Sequence, residues 1–173
     1  VSEMIKRLSE EALIVVTDGR ISLTDKGEEL AQRVVRRHRL AERFITDILG
    51  LSWALAHREA GRWEHVMSDE VEAAMSRVLG EPTTCPHGNP IPGSKYQAPT
   101  AQRLNQLAVG QHFTISRIPE ELEFTPGMLE FLERTKLVPG SAATVHNTKS
   151  NGEIAIPATN EIKVPTKAKG GAK

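Results

Sequence analysis

The chain has 173 residues and a single cysteine, Cys85. An intrachain disulfide is therefore excluded, and without a second cysteine pair a structural zinc knuckle is disfavoured. No apolar run reaches the roughly 20 residues needed to span a bilayer, and no charged-then-apolar start looks like a signal peptide. The expectation is a cytoplasmic protein with no membrane partner. Net charge is also lacking, with 22 basic residues against 22 acidic. The chain as a whole thus has no bias toward nucleic acid, and any DNA contact must come from a local patch. There is no phosphate-binding glycine loop, no G-x-S-x-G, no H-E-x-x-H and no internal repeat. What remains is 39% hydrophobic and 25% charged residues. That is ordinary globular composition, enough for one large domain or two small ones.

The chain opens inside a helical pattern. Val1, Met4, Ile5, Leu8 and Ala12 in "VSEMIKRLSEEALIVV" form a stripe of 3.6-residue period. A start at Val1 with no cap is expected of a fragment whose upstream residues are missing. Leu13–Val16 and Ile21–Leu23 flank Asp18-Gly19, a strong hairpin signal. Thr24 is placed to cap a long helix over about residues 25–49, with Asp25, Glu28 and Glu29 in its first turn. Helix, hairpin and "SLTDKGEEL" follow the order of the second half of a winged helix. Shorter helices are predicted over about 52–66 and 69–79, the latter capped by Ser68. These three helices carry more apolar surface than so small a unit can bury, which suggests a homodimer. "GEPTTCPHGNPIPGS" then breaks the pattern with four prolines. Beyond Leu104 short alternating strands take over ("QHFTISRI", "SAATVHN", "EIAI", "EIKV"), with one helix in "GMLEFLERTKLVPG". The expected fold is mainly α with a small β part: a partial winged helix, a helical domain and a C-terminal small β-barrel.

Three groups of residues carry possible chemistry. In "RRHRLAER", His38 and Glu42 are four apart and share a helix face. They could grip a divalent ion or be an exposed pair on a charged helix. In "HREAGRWEHVMSDE", positions 57, 61, 64 and 65 fall on one helical face, and His57, Glu64 and His65 are potential ligands. Imidazole with carboxylate suits Mn, Fe, Co, Ni or Zn better than Mg or Ca. In "CPHG", Cys85 and His87 stand two apart in a proline-stiffened loop, as ligands or as a buried thiol beside a turn histidine. A catalytic Cys85–His87 pair is disfavoured, because residues two apart in such a loop seldom align for proton transfer. No enzyme and no small-molecule substrate is expected.

The joint order of "RRHRLAER", "RWEHVMSDEVE" and "CPHGNPIPG" resembles the metal-dependent transcriptional repressors of the diphtheria toxin repressor and manganese transport regulator family. The resemblance covers about residues 1–165, and "LNQLAVGQ" with "FLERTKLVPG" looks like the SH3-like domain that often ends such proteins. It implies a partial winged helix over 1–26 and a helical dimerisation and metal-binding domain over 27–94. A linker over 95–103, an SH3-like β-barrel over 104–165 and a flexible tail over 166–173 follow. It implies a homodimer that binds operator DNA under control of Fe2+ or Mn2+. Carried over by position, His38 and Glu42 match one site, with His57 as a further ligand in part of the family. Glu64 and His65 match the other site, and Cys85 and His87 look like ligands where the "CPHG" loop occurs. An acid of the SH3-like domain is also implied, and Glu123 in the cluster Glu120, Glu121 and Glu123 is the candidate. Ser2, Glu3, Lys6 and Arg20 are the candidate DNA contacts.

Two departures stand out. Gly61 falls where family members carry Cys, Glu or Met, so one side-chain ligand is missing, to be replaced by Cys85, water or a carbonyl. The helices that support the recognition helix are absent as well, so the chain alone is not expected to hold DNA tightly. The alternative to a repressor is a metal-binding dimerisation module without DNA binding.

Overall fold

The computed structural model describes residues 2–145, 147, 148, 154 and 155. It divides into two compact units, Val1–Tyr96 and Gln97–Lys173.

In the first unit, helix α1 (Ser2–Glu10) leads into a hairpin of β1 (Ile14–Thr17) and β2 (Arg20–Leu23). The strands pair from Ile14↔Leu23 to Thr17↔Arg20, leaving Asp18 and Gly19 as a two-residue turn. Both have positive φ, 50° and 73°, as the primed turn demands. Helix α2 (Asp25–Asp47) starts at Thr24, whose side chain accepts from Gly27 N at 3.0 Å and donates to Ala12 O at 2.7 Å. One residue thus caps α2 and ties it to the end of α1. Gly27 sits so close to the hairpin that a Cβ there would lie 1.9 Å from the carbonyl oxygen of Leu13. The contact admits only glycine, although the position is ordinary helix.

Helices α3 (Trp53–Trp63) and α4 (Asp69–Val78) follow. α2 packs mainly on α3, through fully buried Ala41 and Ile45 against fully buried Ala56 and Ala60, with Met67, Trp63 and Met75 around them. Three alanines in that seam let the helix backbones approach closely. α4 joins this packing through Met75 and is also held by charge. Arg36 and Arg37 of α2 both donate to Glu72, at 2.6 and 3.0 Å, and Arg37 also donates to Asp69. Ser68 caps α4 at Val71 N, as expected. α2 and α3 stop sooner than the apolar stripe suggested, at Asp47 and Trp63. Glu64, His65 and Val66 therefore lie in a turn beyond α3.

Among the described residues the second unit holds a 3-10 turn (Leu104–Gln106), β3 (His112–Thr114), α5 (Glu120–Glu123), α6 (Met128–Arg134), β4 (Ala142–Thr144), β5 (Asn147–Thr148) and β6 (Ile154–Ala155). β3 pairs antiparallel with β4 and β5 with β6. Leu107, Ile118, Leu129, Leu132, Leu137 and Val145 make its core. Small antiparallel ladders are thus present, whereas a closed barrel is not formed among the described residues. The expected strand "EIKV" lies outside them. Among the described residues no helix is long and apolar enough to cross a membrane.

The Gly27 contact gives a direct test. Gly27→Ala should destabilise the first unit by about 1–3 kcal/mol, against the usual helix preference for alanine. A thermal melt equal to or higher than that of the parent chain would show that the close approach is not there.

Candidate metal centre

The site begins with the packing of α2 on α3. Ala41 and Ile45 face the seam, and this rotation turns Glu42 inward until it is fully buried. His38, one turn earlier, follows it. On α3 the neighbour of fully buried Ala56 is His57, which comes to the same place from the other side. Glu42 Oε1 lies 3.1 Å from His38 Nε2 and 2.8 Å from His57 Nδ1, and the two imidazole nitrogens are 3.3 Å apart. Their rings meet nearly edge to face, at 76°. The other nitrogen of His38, Nδ1, is 2.6 Å from Glu64 Oε2. A carboxylate behind a histidine fixes its ring and tautomer, the usual support of a metal-binding imidazole.

A second group forms on the other oxygen of Glu42. Cys85 and His87 are buried to 1% and 0% exposure. Cys85 Sγ lies 3.8 Å from His87 Nδ1, which lies 3.6 Å from Glu42 Oε2. Trp53 packs edge-on against the His87 ring at 4.6 Å and 89°. Glu42 Oε2 is buried and makes no hydrogen bond. A carboxylate oxygen with no donor is costly inside a protein, and a cation bound beside it offsets that cost. His38, Glu42 and His57 form one set of converging donors, and Glu42, Cys85 and His87 form another. The residues present fit a divalent transition ion: imidazole nitrogen, one carboxylate and, in one set, a thiolate.

The loop that carries Cys85 and His87 is held by arginines. Arg36 donates to Pro92 O at 2.9 Å, Arg39 to Pro90 O, and Arg43 to Thr84 O at 3.1 Å. Within the loop Cys85 N donates to Asn89 O and Ile91 N to Thr83 O. In "RRHRLAER" the sequence points to His38 and Glu42 as a ligand pair or an exposed pair, and gives the arginines no role; the clamp is visible only in the structure. The one signal for it in the sequence is that positions 36, 39 and 43 recur at helical spacing and line one face.

The electrostatics centre on Glu42. Burial works against its charge, but hydrogen bonds from His38 and His57, and the His87 imidazole 3.6 Å from Oε2, outweigh burial and hold it well below the usual carboxylate range. For His38 burial also opposes charge, yet the bonds and charges of Glu42 and Glu64 raise its pKa above the ordinary value.

Of the residues expected to bind metal, six converge: His38, Glu42, His57, Glu64, Cys85 and His87. His65 stands at the rim, its side chain 65% exposed and its Nε2 3.1 Å from Glu64 Oε1. Glu123 is buried in α5 of the second unit. Cys85 belongs with Glu42 and His87, and a side chain at Gly61 would meet open space. Ser2, Glu3 and Lys6 are exposed on α1 and Arg20 on β2, with Lys6 loosely paired to Glu10 at 3.8 Å.

The iron dependent repressor, metal binding and dimerisation domain family matches residues 24–93. The iron-dependent repressor IdeR of Mycobacterium bovis is 38% identical, over 95% of this chain and 77% of its own length. The chain belongs to the iron-dependent repressor family. Within that family, the diphtheria toxin repressor of Corynebacterium diphtheriae is 50% identical over 64% of this chain and 45% of its own length. A manganese-dependent transcriptional repressor solved in complex with manganese superposes with a TM-score of 0.76 at 35% identity, covering 90% of this chain and 72% of that one. His38, Glu42, His57, Cys85 and His87 all lie within the matched residues.

The clamp predicts a measurable change. Arg39→Met removes a charge-assisted bond to the loop, and Arg43→Met removes another, at about 1.5–3 kcal/mol each. Alkylation of buried Cys85 in metal-free protein should then speed up about tenfold or more. An unchanged alkylation rate in the double variant would mean that the arginines do not hold the loop.

Proposed function

We propose that this chain is a homodimeric, Fe2+- or Mn2+-dependent transcriptional repressor of metal homeostasis, acting in the cytoplasm on operator DNA. The observation that carries the reading is the buried carboxylate of Glu42 with imidazoles on both sides and an oxygen left without a donor. When bound, the ion would supply a further cross-link between α2, α3 and the clamped loop. His38 and Glu42 present donors from α2 and His57 from α3, while Cys85 and His87 present them from the clamped loop. Glu64 holds His38 in position and, with His65, offers donors at the rim.

The DNA end of the reading rests on α1 and the hairpin. α1 has no buried residue, which suits a helix meant to meet another surface. Ser2, Glu3 and Lys6 would face base edges or phosphate, and Arg20 beside the hairpin turn would follow the backbone. Residues 1–26 act as the winged-helix part and 27–94 as the dimerisation and metal-binding part. Residues 95–103 are a linker, 104–165 an SH3-like barrel and 166–173 a tail. Among the described residues the exposed apolar side chains Ile48, Leu49, Leu51, Val66, Val71 and Val78 support pairing of two copies through the helical part. The deciding experiment titrates Mn2+ and Fe2+ into the full-length dimer, its upstream residues restored, with retention of operator DNA as readout and Glu64→Ala, His65→Ala as control. Metal uptake with no operator retention at any metal level would leave only a metal-binding dimerisation module.

Two outcomes follow from the site. His38 keeps its proton to a higher pH than a free imidazole, because Glu42 and Glu64 favour its charged form over the cost of burial. An ion must displace that proton, so metal affinity should fall as pH drops, starting above the ordinary histidine value of 6.5. Isothermal titration across mildly acidic to mildly alkaline pH checks this, and a flat profile removes the histidines from the ligand set. Gly61→Cys enters open space on α3 and replaces a helix-interior glycine, a gain of a few tenths of a kcal/mol. It should also raise Mn2+ or Fe2+ affinity about tenfold or more by adding a donor beside Glu64 and His65. Unchanged affinity would mean that position 61 does not face the metal.

A further inference from the structure

Helix α1 has no buried residue, so burial does little to set its direction. Its end is fixed in another way. Ala12 takes a positive φ, 54°, and the N–H groups of Ala12 and Leu13 bond back to Ser9 O and Leu8 O, closing the helix in a Schellman motif. Beyond that point successive carbonyls are all taken by the start of α2. Glu11 O accepts from Lys26 Nζ at 2.8 Å, Ala12 O from Thr24 Oγ1 at 2.7 Å and Leu13 O from Thr24 N at 3.0 Å. Buried Gly27 completes the contact, with no room for a Cβ beside Leu13 O. Positive φ is unfavourable for alanine, and the bond from Thr24 to the Ala12 carbonyl helps to hold it there.

The donors of this junction belong to the N-cap and first turn of α2. The same helix runs on to Asp47 and carries His38 and Glu42. It contains no proline, and its one glycine, Gly27, lies in the first turn. Nothing in its sequence favours a kink between Thr24 and His38, roughly 20 Å apart along the axis at 1.5 Å per residue. A tilt imposed at the donor end is therefore delivered at Thr24 and Lys26.

We propose that Thr24 and Lys26 are positioning residues: they lock the direction of α1 to the axis of α2, so that an ion held at His38 and Glu42 governs α1 through the carbonyls of Glu11, Ala12 and Leu13. The inference rests on the metal-dependent repressor reading and goes beyond it, since neither residue is a metal donor or a candidate DNA contact. Thr24 has two roles that can be separated. Its hydroxyl caps α2 by accepting from Gly27 N at 3.0 Å, and it ties α1 by donating to Ala12 O. Aspartate caps a helix at least as well but has no proton to donate, whereas serine does both.

The test uses the full-length dimer, its upstream residues restored. It measures Mn2+ affinity without DNA and the factor by which Mn2+ raises operator affinity. In Thr24→Asp, Lys26→Met the affinity without DNA should stay within about twofold of the parent, while the factor should fall about tenfold or more. By linkage, operator DNA should then raise Mn2+ affinity by the same smaller factor. Thr24→Ser should keep the factor of the parent. Should Thr24→Asp fail to fold, Lys26→Met decides alone, because Lys26 is exposed. An unchanged factor in the double variant overturns the lock, as does an equal loss in Thr24→Ser. A fall in DNA-free Mn2+ affinity as large as the fall in operator binding also overturns it, since mere support of the fold would give that result. Mn2+-dependent operator binding by the parent stands in all three cases. A parent that takes up Mn2+ and never retains operator overturns the repressor reading, and the lock with it.

Discussion

The carboxylate of Glu42 is the group on which the rest of the first unit depends. It is fully buried, yet it stays ionised because three imidazoles hydrogen-bond to it or approach it. Taking a charge out of water costs several kcal/mol unless partners compensate. Those partners come from three stretches that are far apart in the chain, α2, α3 and the loop around Cys85. The stretches must therefore stay in register for the charge to be tolerable. The alanine seam between α2 and α3 makes this possible, since larger side chains at 41, 56 or 60 would move His57 away from Glu42.

The second constraint is the loop. A segment with Cys85 and His87 at its buried tip would gain little from prolines alone, which stiffen a chain without placing it. Arginines at 36, 39 and 43 place it, by donating to backbone carbonyls at Pro92, Pro90 and Thr84. Guanidinium suits the task because its planar fork reaches several acceptors while its charge stays ionised at any working pH. The same helix thus offers an inward face that holds metal donors and a flanking face that fixes the loop. Arg36 and Arg37 extend the network to Glu72, so α4 is fastened to the same frame.

Much of this frame was legible in the residues. The Asp18-Gly19 hairpin, the Thr24 and Ser68 caps and the three helices follow from short-range chemistry: turns that need positive φ, caps that satisfy free N–H groups, stripes of helical period. The His38–Glu42 pair is legible for the same reason, because helical spacing alone makes the two neighbours. Helix ends were less legible. Glu64 and His65 continue the pattern of α3 in the sequence, but the helix ends at Trp63; Glu64 still reaches His38, whereas His65 stands exposed at the rim. The small β part was read as a closed barrel, whereas the described residues show short two-stranded ladders. Alternation marks strands but does not say how many of them close on one another.

What the sequence determined by itself is the inventory: which donors exist, which lie one helical turn apart, and that together they suit a transition ion rather than a catalytic triad. The tertiary structure alone decided how the inventory is divided. It gave one oxygen of Glu42 to His38 and His57 and the other to the pair from the loop. It also set Cys85 with Glu42 and His87 instead of filling the gap at Gly61. The reason is that local spacing fixes neighbours only within an element. Which residues of distant elements meet is set by the side chains that fill the seam between them, and no single stretch of sequence contains that seam.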